Sequence, residues 1–137
     1  MKKLLYFCAL LVCLYGCDEK LINEIYAEID VVSDVESTLR YEPNGYTAEA
    51  NGGSVFYLTG ENTSASLVTN TYEALPTEGF YYRLYVYDSD LSDVGCLDIE
   101  IRLYKNGDLK KTENIQLGFI ATGDFCSTHG NEFNGDL

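Results

Sequence analysis

The sequence predicts one all-β domain, folded as a single antiparallel β-sandwich or as a barrel. Three observations carry this. Short segments of alternating apolar and polar residues recur along the chain, most clearly over residues 97–104. Turn dipeptides separate them, among them Asn44-Gly45, Gly52-Gly53 and Asn106-Gly107. Helical spacing occurs only at Leu21, Ile22, Ile25, Tyr26 and Ile29, where strand alternation competes with it.

Residues 25–32 read as the first strand. Ile25, Ala27, Ile29 and Val31 share one side, and Glu28 and Asp30 share the other. A helical start over residues 18–26 stays open. The next segments are short and rich in turns. Residues 46–50 and 54–59 are strand-like, set between the Pro43-Asn44-Gly45, Asn51-Gly52-Gly53 and Gly60-Glu61-Asn62 turns. Residues 65–69 form a further short strand, and Pro76 with Gly79 marks a loop.

The second half is plainer. Residues 80–87 are dense in Tyr, Leu and Val, which favour strands. Leu97, Ile99, Ile101 and Leu103 alternate with Asp98, Glu100, Arg102 and Tyr104, the pattern of a half-buried antiparallel strand. Asn106-Gly107 supplies a type I′ hairpin turn, where both central residues need positive φ. The return strand covers residues 109–119, with Ile115, Leu117 and Phe119 on one face. Residues 127–137 are polar and Gly-rich and are expected to form a flexible tail. Seven or eight short strands with turns between them suit a sandwich over residues 25–126. It is immunoglobulin-like in architecture only, since Trp is absent and with it the Cys-Trp-Cys spacing of antibody domains.

The 137 residues hold 9 Lys+Arg against 22 Asp+Glu, a formal net charge of -13. That balance argues against a nucleic-acid partner, which needs a basic patch. A hydrophobic content of 46% argues against disorder.

The chain opens Met1-Lys2-Lys3, followed by an uncharged apolar run to Tyr15. This is the layout of a secretory signal, and it falls short of the ~20 apolar residues a membrane span needs. Leu14-Tyr15-Gly16-Cys17 then resembles the lipobox of bacterial lipoproteins, in which a small residue precedes the lipidated cysteine. Tyr15 is bulkier than that pattern usually carries. Cys13 is the only nearby rival, and Val12 before it is a poor cleavage residue. The resemblance implies a signal peptide over residues 1–16 and a diacylglyceryl thioether on Cys17, with the amino group usually acylated too. Residues 17–24 would then tether the domain to the bilayer. The alternatives are a plain secreted protein and a eukaryotic secretory signal. Asp18-Glu19-Lys20 resembles the acidic surface-export signal of some bacterial lipoproteins, while an Asp there resembles an inner-membrane retention signal in enteric bacteria. The reading adopted is a lipid-anchored envelope protein of the outer membrane, with exposure at the cell surface left open.

Cleavage there resolves the five cysteines. Cys8 and Cys13 leave with the leader and Cys17 takes the lipid. Cys96 and Cys126 remain, a disulfide pair in an oxidising compartment. Loss of Lys2 and Lys3 takes the net charge from -13 to -15. A cationic partner or Ca²⁺ is allowed by that charge, though not named by it.

Two constellations stand out. Asp88, Asp90 and Asp93 put three carboxylates in one loop. Calcium takes six to eight oxygens and acidic loops supply them, but the EF-hand glycine and glutamate are missing. A solvated connector is the ordinary use of such a loop. Calcium is the one cofactor left open. Tyr81, Arg83, Tyr85 and Tyr87 share one side of their strand, with Tyr82, Leu84 and Val86 on the other. Tyr and Arg are favoured at binding hot spots, although tyrosines also simply plate sheets.

Catalysis finds little footing. His129 is the only histidine, and Ser127, Thr128 and Cys126 near it lack the base, orienter and oxyanion site, or the further ligands, that chemistry there needs. Asp98 and Glu100 share a strand face and read as solvated. The expectation is a non-enzymatic binding or structural module of the envelope, partnered by the bilayer through Cys17 and by an envelope or extracellular protein or glycan. Its rivals are an inhibitor of a secreted hydrolase and a hydrolase with an unrecognised site.

Overall fold

The computed structural model describes residues 21–59, 63–87, 95–119, 126 and 130–137. Among these residues nine strands form two antiparallel sheets. One sheet runs β4 (Thr63–Val68), β1 (Asn23–Ser33), β7 (Gly95–Lys105), β8 (Asp108–Phe119), and β5 (Tyr72–Ala74) follows β4 along the same side of β1. The other runs β3 (Ser54–Leu58), β2 (Ser37–Pro43), β6 (Tyr81–Tyr87), β9 (Glu132–Asp136). The two sheets pack into the sandwich that the alternation predicts, without closing into a barrel.

Alternation explains the core. Ile25, Ala27, Ile29 and Val31 of β1 are buried beside Leu97, Ile99, Ile101 and Leu103 of β7. Leu39 and Tyr41 of β2 and Tyr82 and Leu84 of β6 face them from the second sheet. The β7–β8 turn is as expected, with Asn106 at φ 54° and Gly107 at φ 82°. The Asn106 amide N–H also donates to the Glu24 carbonyl at 2.8 Å, which clips the hairpin to the start of β1. A helical start does not form over residues 23–26, which belong to β1. Cys96 and Cys126 are joined in a disulfide with Cα atoms 5.9 Å apart and a sequence separation of 30. A loop of that length is worth about 3–4 kcal/mol by chain entropy.

Three expectations need correction. Residues 46–50 are a loop with one 3-10 turn, Glu49–Asn51, in place of a strand. Tyr46 N–H bonds back to Pro43 O at 2.8 Å and Gly53 N–H to Ala48 O at 3.1 Å. Backbone groups used locally are not available to a ladder. Residues 37–43, read only as turn-rich, form β2, and residues 72–74 form β5. The tail does not fray over residues 132–136: these form β9, paired with β6 from Tyr81↔Asp136 to Tyr85↔Glu132. Its hold is tertiary. A Cβ on Gly135 would lie 2.4 Å from the Tyr82 ring, so only glycine lets that ring pack there. Phe133 packs on the core, and Lys111 Nζ reaches the Asp136 carboxylate at 3.0 Å.

Candidate functional site

The outer face of the β6 sheet carries the tyrosine–arginine group. Tyr82 and Leu84 point inward, as expected, while Tyr81 is exposed and Arg83 and Tyr85 are half-buried. Tyr87 pairs with Thr38 through its backbone, and its side chain lies outside the described residues. Register sets Glu42 of β2 opposite Arg83, and Arg40 opposite Tyr85. Glu42 is only 3% exposed although it sits on the solvent side of the sheet. Arg83 covers it, with Nε 3.0 Å from Oε2 and Nη2 on the same oxygen. Tyr85 OH donates to Oε1 at 2.6 Å. The guanidinium also lies over the Tyr85 ring, 4.6 Å from its centroid. Hydrogen bonding to Glu42 raises the basicity of Arg83, and burial followed by the bond to Glu42 pushes the Tyr85 phenol up. A surface ion pair is ordinarily worth little, but this carboxylate is desolvated and depends on its partners. The result is a stiff polar-aromatic face. Tyr57 of β3, 76% exposed, and Tyr81, 56% exposed, stand at its margins.

Sequence reasoning found the β6 residues because alternation places them. It missed Glu42, whose role depends on the β2–β6 register.

The opposite outer face is acidic. Asp30 on β1 and Glu100 on β7 stand directly opposite each other, a destabilising like-charge pair. Arg102 relieves it, with Nη2 2.8 Å from Asp30, Nη1 2.7 Å from Glu100 and Nε 3.3 Å from Glu28. Tyr104 OH donates to Glu28 at 2.9 Å, and its ring stacks on Tyr26 at 4.9 Å. Ser66 of β4 donates to Asp30, and that bond with Arg102 holds the Asp30 carboxyl below its ordinary value. Asp98 accepts from the Gln116 amide at 2.7 Å. Of these side chains, Asp30, Ser66, Asp98, Glu100 and Gln116 line a shallow hollow of about 640 Å³. Asp98 is exposed and Glu100 half-buried, on the face where the sequence placed them.

A third polar group fastens two loops. Asn44 Nδ2 donates to Tyr72 OH at 3.1 Å, Glu78 Oε1 at 3.1 Å and Gly79 O at 3.0 Å. Tyr72 OH donates to Glu78 at 2.6 Å. Burial first, then Glu78, pushes the Tyr72 phenol up to about 12, and Tyr72 holds Glu78 below the usual carboxylate range.

Cys17, Asp88, Asp90, Asp93, Ser127 and His129 lie outside the described residues. Among the described residues no group of three His, Cys, Asp or Glu side chains is placed to hold a metal, and no helix is long and apolar enough to cross a membrane. Comparison of the chain with family models, curated proteins and solved structures returns no match.

Proposed function

We propose that the chain is a lipid-anchored, non-enzymatic binding module of the bacterial envelope. Cys17 anchors it to the outer membrane, and the outer face of β6 captures an envelope or extracellular protein or glycan. The leader and Leu14-Tyr15-Gly16-Cys17 support the anchor. The observation that carries the binding role is Glu42, a carboxylate 3% exposed on a solvent-side face and roofed by Arg83 and Tyr85. Burying a charge there is costly, and it fixes an arginine and a tyrosine in place before any ligand arrives, which lowers the entropy cost of binding.

The test has two arms. Intact mass of the protein from its native membrane fraction should correspond to residues 17–137 plus acyl chains. Photo-crosslinking residues placed at 57 and 81 in intact cells should give adducts that one placed at Lys110 does not. An unlipidated mass would refute the anchor and move the protein toward a soluble exported inhibitor. Equal labelling at all three positions would refute the face.

A further inference from the structure

We infer that the free edge of β4 accepts an extended, basic segment of another protein as an added strand, its alternate Lys or Arg side chains lying in the acidic hollow beside it.

The first observation is the main chain. Thr69 N–H donates to Ala27 O at 2.9 Å, and β4 pairs with β1 from Glu28↔Val68 to Ser33↔Thr63. Bonding and non-bonding pairs alternate along an antiparallel ladder. Leu67, Ala65 and Thr63 therefore turn their backbone groups toward β1. Ser64, Ser66 and Val68 turn theirs away, and among the described residues no strand pairs with that side. Edges are usually blunted by charge, proline or cover. β8 carries Lys110 and Lys111, and β9 carries Glu132 and Asp136. β4 reads Thr-Ser-Ala-Ser-Leu-Val, with no charge and no proline. β3 is equally bare, but it belongs to the other sheet.

The second observation is what β4 borders. Ser64 and Ser66 form one wall of the hollow that also holds Asp30, Asp98 and Glu100. Arg102 is shared among three carboxylates, which leaves the group negative, and Asp98 has the neutral Gln116 amide as its partner. Among the described residues no lysine or arginine lines the hollow. Asp30 already leans toward β4 through Ser66. An added strand would run about 10 Å from β1, two strand spacings away. A lysine reaching across Ser66 toward Asp30 covers that span. Main-chain bonds would supply affinity and alternate side chains specificity, as in strand addition generally.

Charge selects the occupant. A second copy would bring its own Asp30–Glu100 group up against this one, on a chain of net charge -13. A six-residue edge would also bury far less than the ~1,000 Å² a stable dimer needs. A basic partner turns the same field into attraction.

The probe is a ten-residue alternating Lys-Thr peptide, titrated into the full-length purified protein by calorimetry. Binding is expected, weakening as salt rises. An alternating Glu-Thr peptide should not bind. A Lys-Thr peptide N-methylated along one edge should bind at least about tenfold more weakly, the equivalent of one or two hydrogen bonds. Ser66→Pro removes an outward N–H, a change edge strands tolerate, and should weaken binding similarly with the circular dichroism spectrum unchanged. Asp98→Asn with Glu100→Gln should weaken binding and flatten its salt dependence. Should Ser66→Pro fail to fold, the N-methylated peptide still decides. Equal binding by the N-methylated and parent peptides overturns strand addition. Equal binding by the acidic peptide overturns the charge argument, and no binding by any peptide overturns both. A protein that sediments as a dimer only while Ser66 is intact shows that a second copy takes the edge, which overturns the proposed partner.

Discussion

Tyr82 of β6 hydrogen-bonds through its phenol to Glu113 of β8, so a side chain of one sheet is bolted to a side chain of the other. Lys111, 3.2 Å from Glu113 and 3.0 Å from Asp136, completes the closure along the β8–β9 side of the sandwich. Burial, followed by the bond to Glu113, pushes the Tyr82 phenol far above its ordinary range. Tyr82→Phe keeps the ring and loses the bond. It should cost about 1.5–3 kcal/mol, the usual worth of a hydrogen bond to a charged group. Urea unfolding measures this, and a double-mutant cycle with Glu113→Ala isolates the pair.

Gly135→Ala tests the C-terminal strand directly. The added methyl lands on the Tyr82 ring and forces β9 or the ring to move. The expected loss is about 1–3 kcal/mol, typical of overpacking. A freely fraying tail would make the change neutral, so an unaltered denaturation midpoint would contradict the β6–β9 pairing.

The cover over Glu42 makes a different prediction. Arg83→Ala uncovers the Glu42 carboxylate and removes two of its hydrogen bonds, while Tyr85 keeps its bond to Oε1. Full burial would put the cost near 3–5 kcal/mol. Arg83 is 41% exposed, so water enters as it leaves and about 1–3 kcal/mol is expected. Adding Glu42→Leu to Arg83→Leu should recover much of the loss, since apolar replacement removes the stranded charge.

Stability should fall at both ends of the pH scale. Asp30 and Glu78 have lowered folded values, so their contribution is complete above their unfolded values near 4 and disappears as pH drops through the folded ones. Tyr72 is raised to about 12. Its contribution is complete below the unfolded value near 10 and is lost as pH climbs toward the folded one. Absorbance titration of tyrosinate should show a late-ionising class that shrinks in Tyr72→Phe. Unfolding free energies across pH should show a smaller alkaline loss in that variant.

Removing the disulfide with Cys96→Ser and Cys126→Ser should cost about 3–4 kcal/mol, from the loop of some 30 residues it closes. Denaturation with and without reductant provides the comparison. A reductant-insensitive midpoint would mean the pair is not bonded in the native protein.

Local chemistry made much of this legible. The β7–β8 hairpin follows from period-two alternation and one Asn-Gly turn, and the β1 core face follows from the same period. Tyr81, Arg83 and Tyr85 share a face for that reason. Elements that depend on distant partners were not legible. β2 buries Glu42 where alternation expects an exposed acid, because Arg83 arrives from 41 positions away. Residues 46–50 have strand-forming neighbours, but their amides are spent on turns. β9 reads Glu-Phe-Asn-Gly-Asp, poor strand material by composition, and it is held by a ring that only the folded sandwich brings to Gly135. The acidic hollow likewise needs Asp30 and Glu100 brought together from either end of the chain.

The order of strands in the sheets also bears on how fast the protein forms. Among the described residues, every strand pairing except β1–β7 joins residues at most 55 positions apart. Ile29 sits beside Ile101, 72 positions later, and this β1–β7 seam is the middle of its sheet. Loop closure of that length must precede the contacts that reward it, which makes such topologies slow. The N-terminal strand therefore waits for the last third of the chain before its second side is covered. A chain built this way depends on staying unaggregated until its late hairpin arrives.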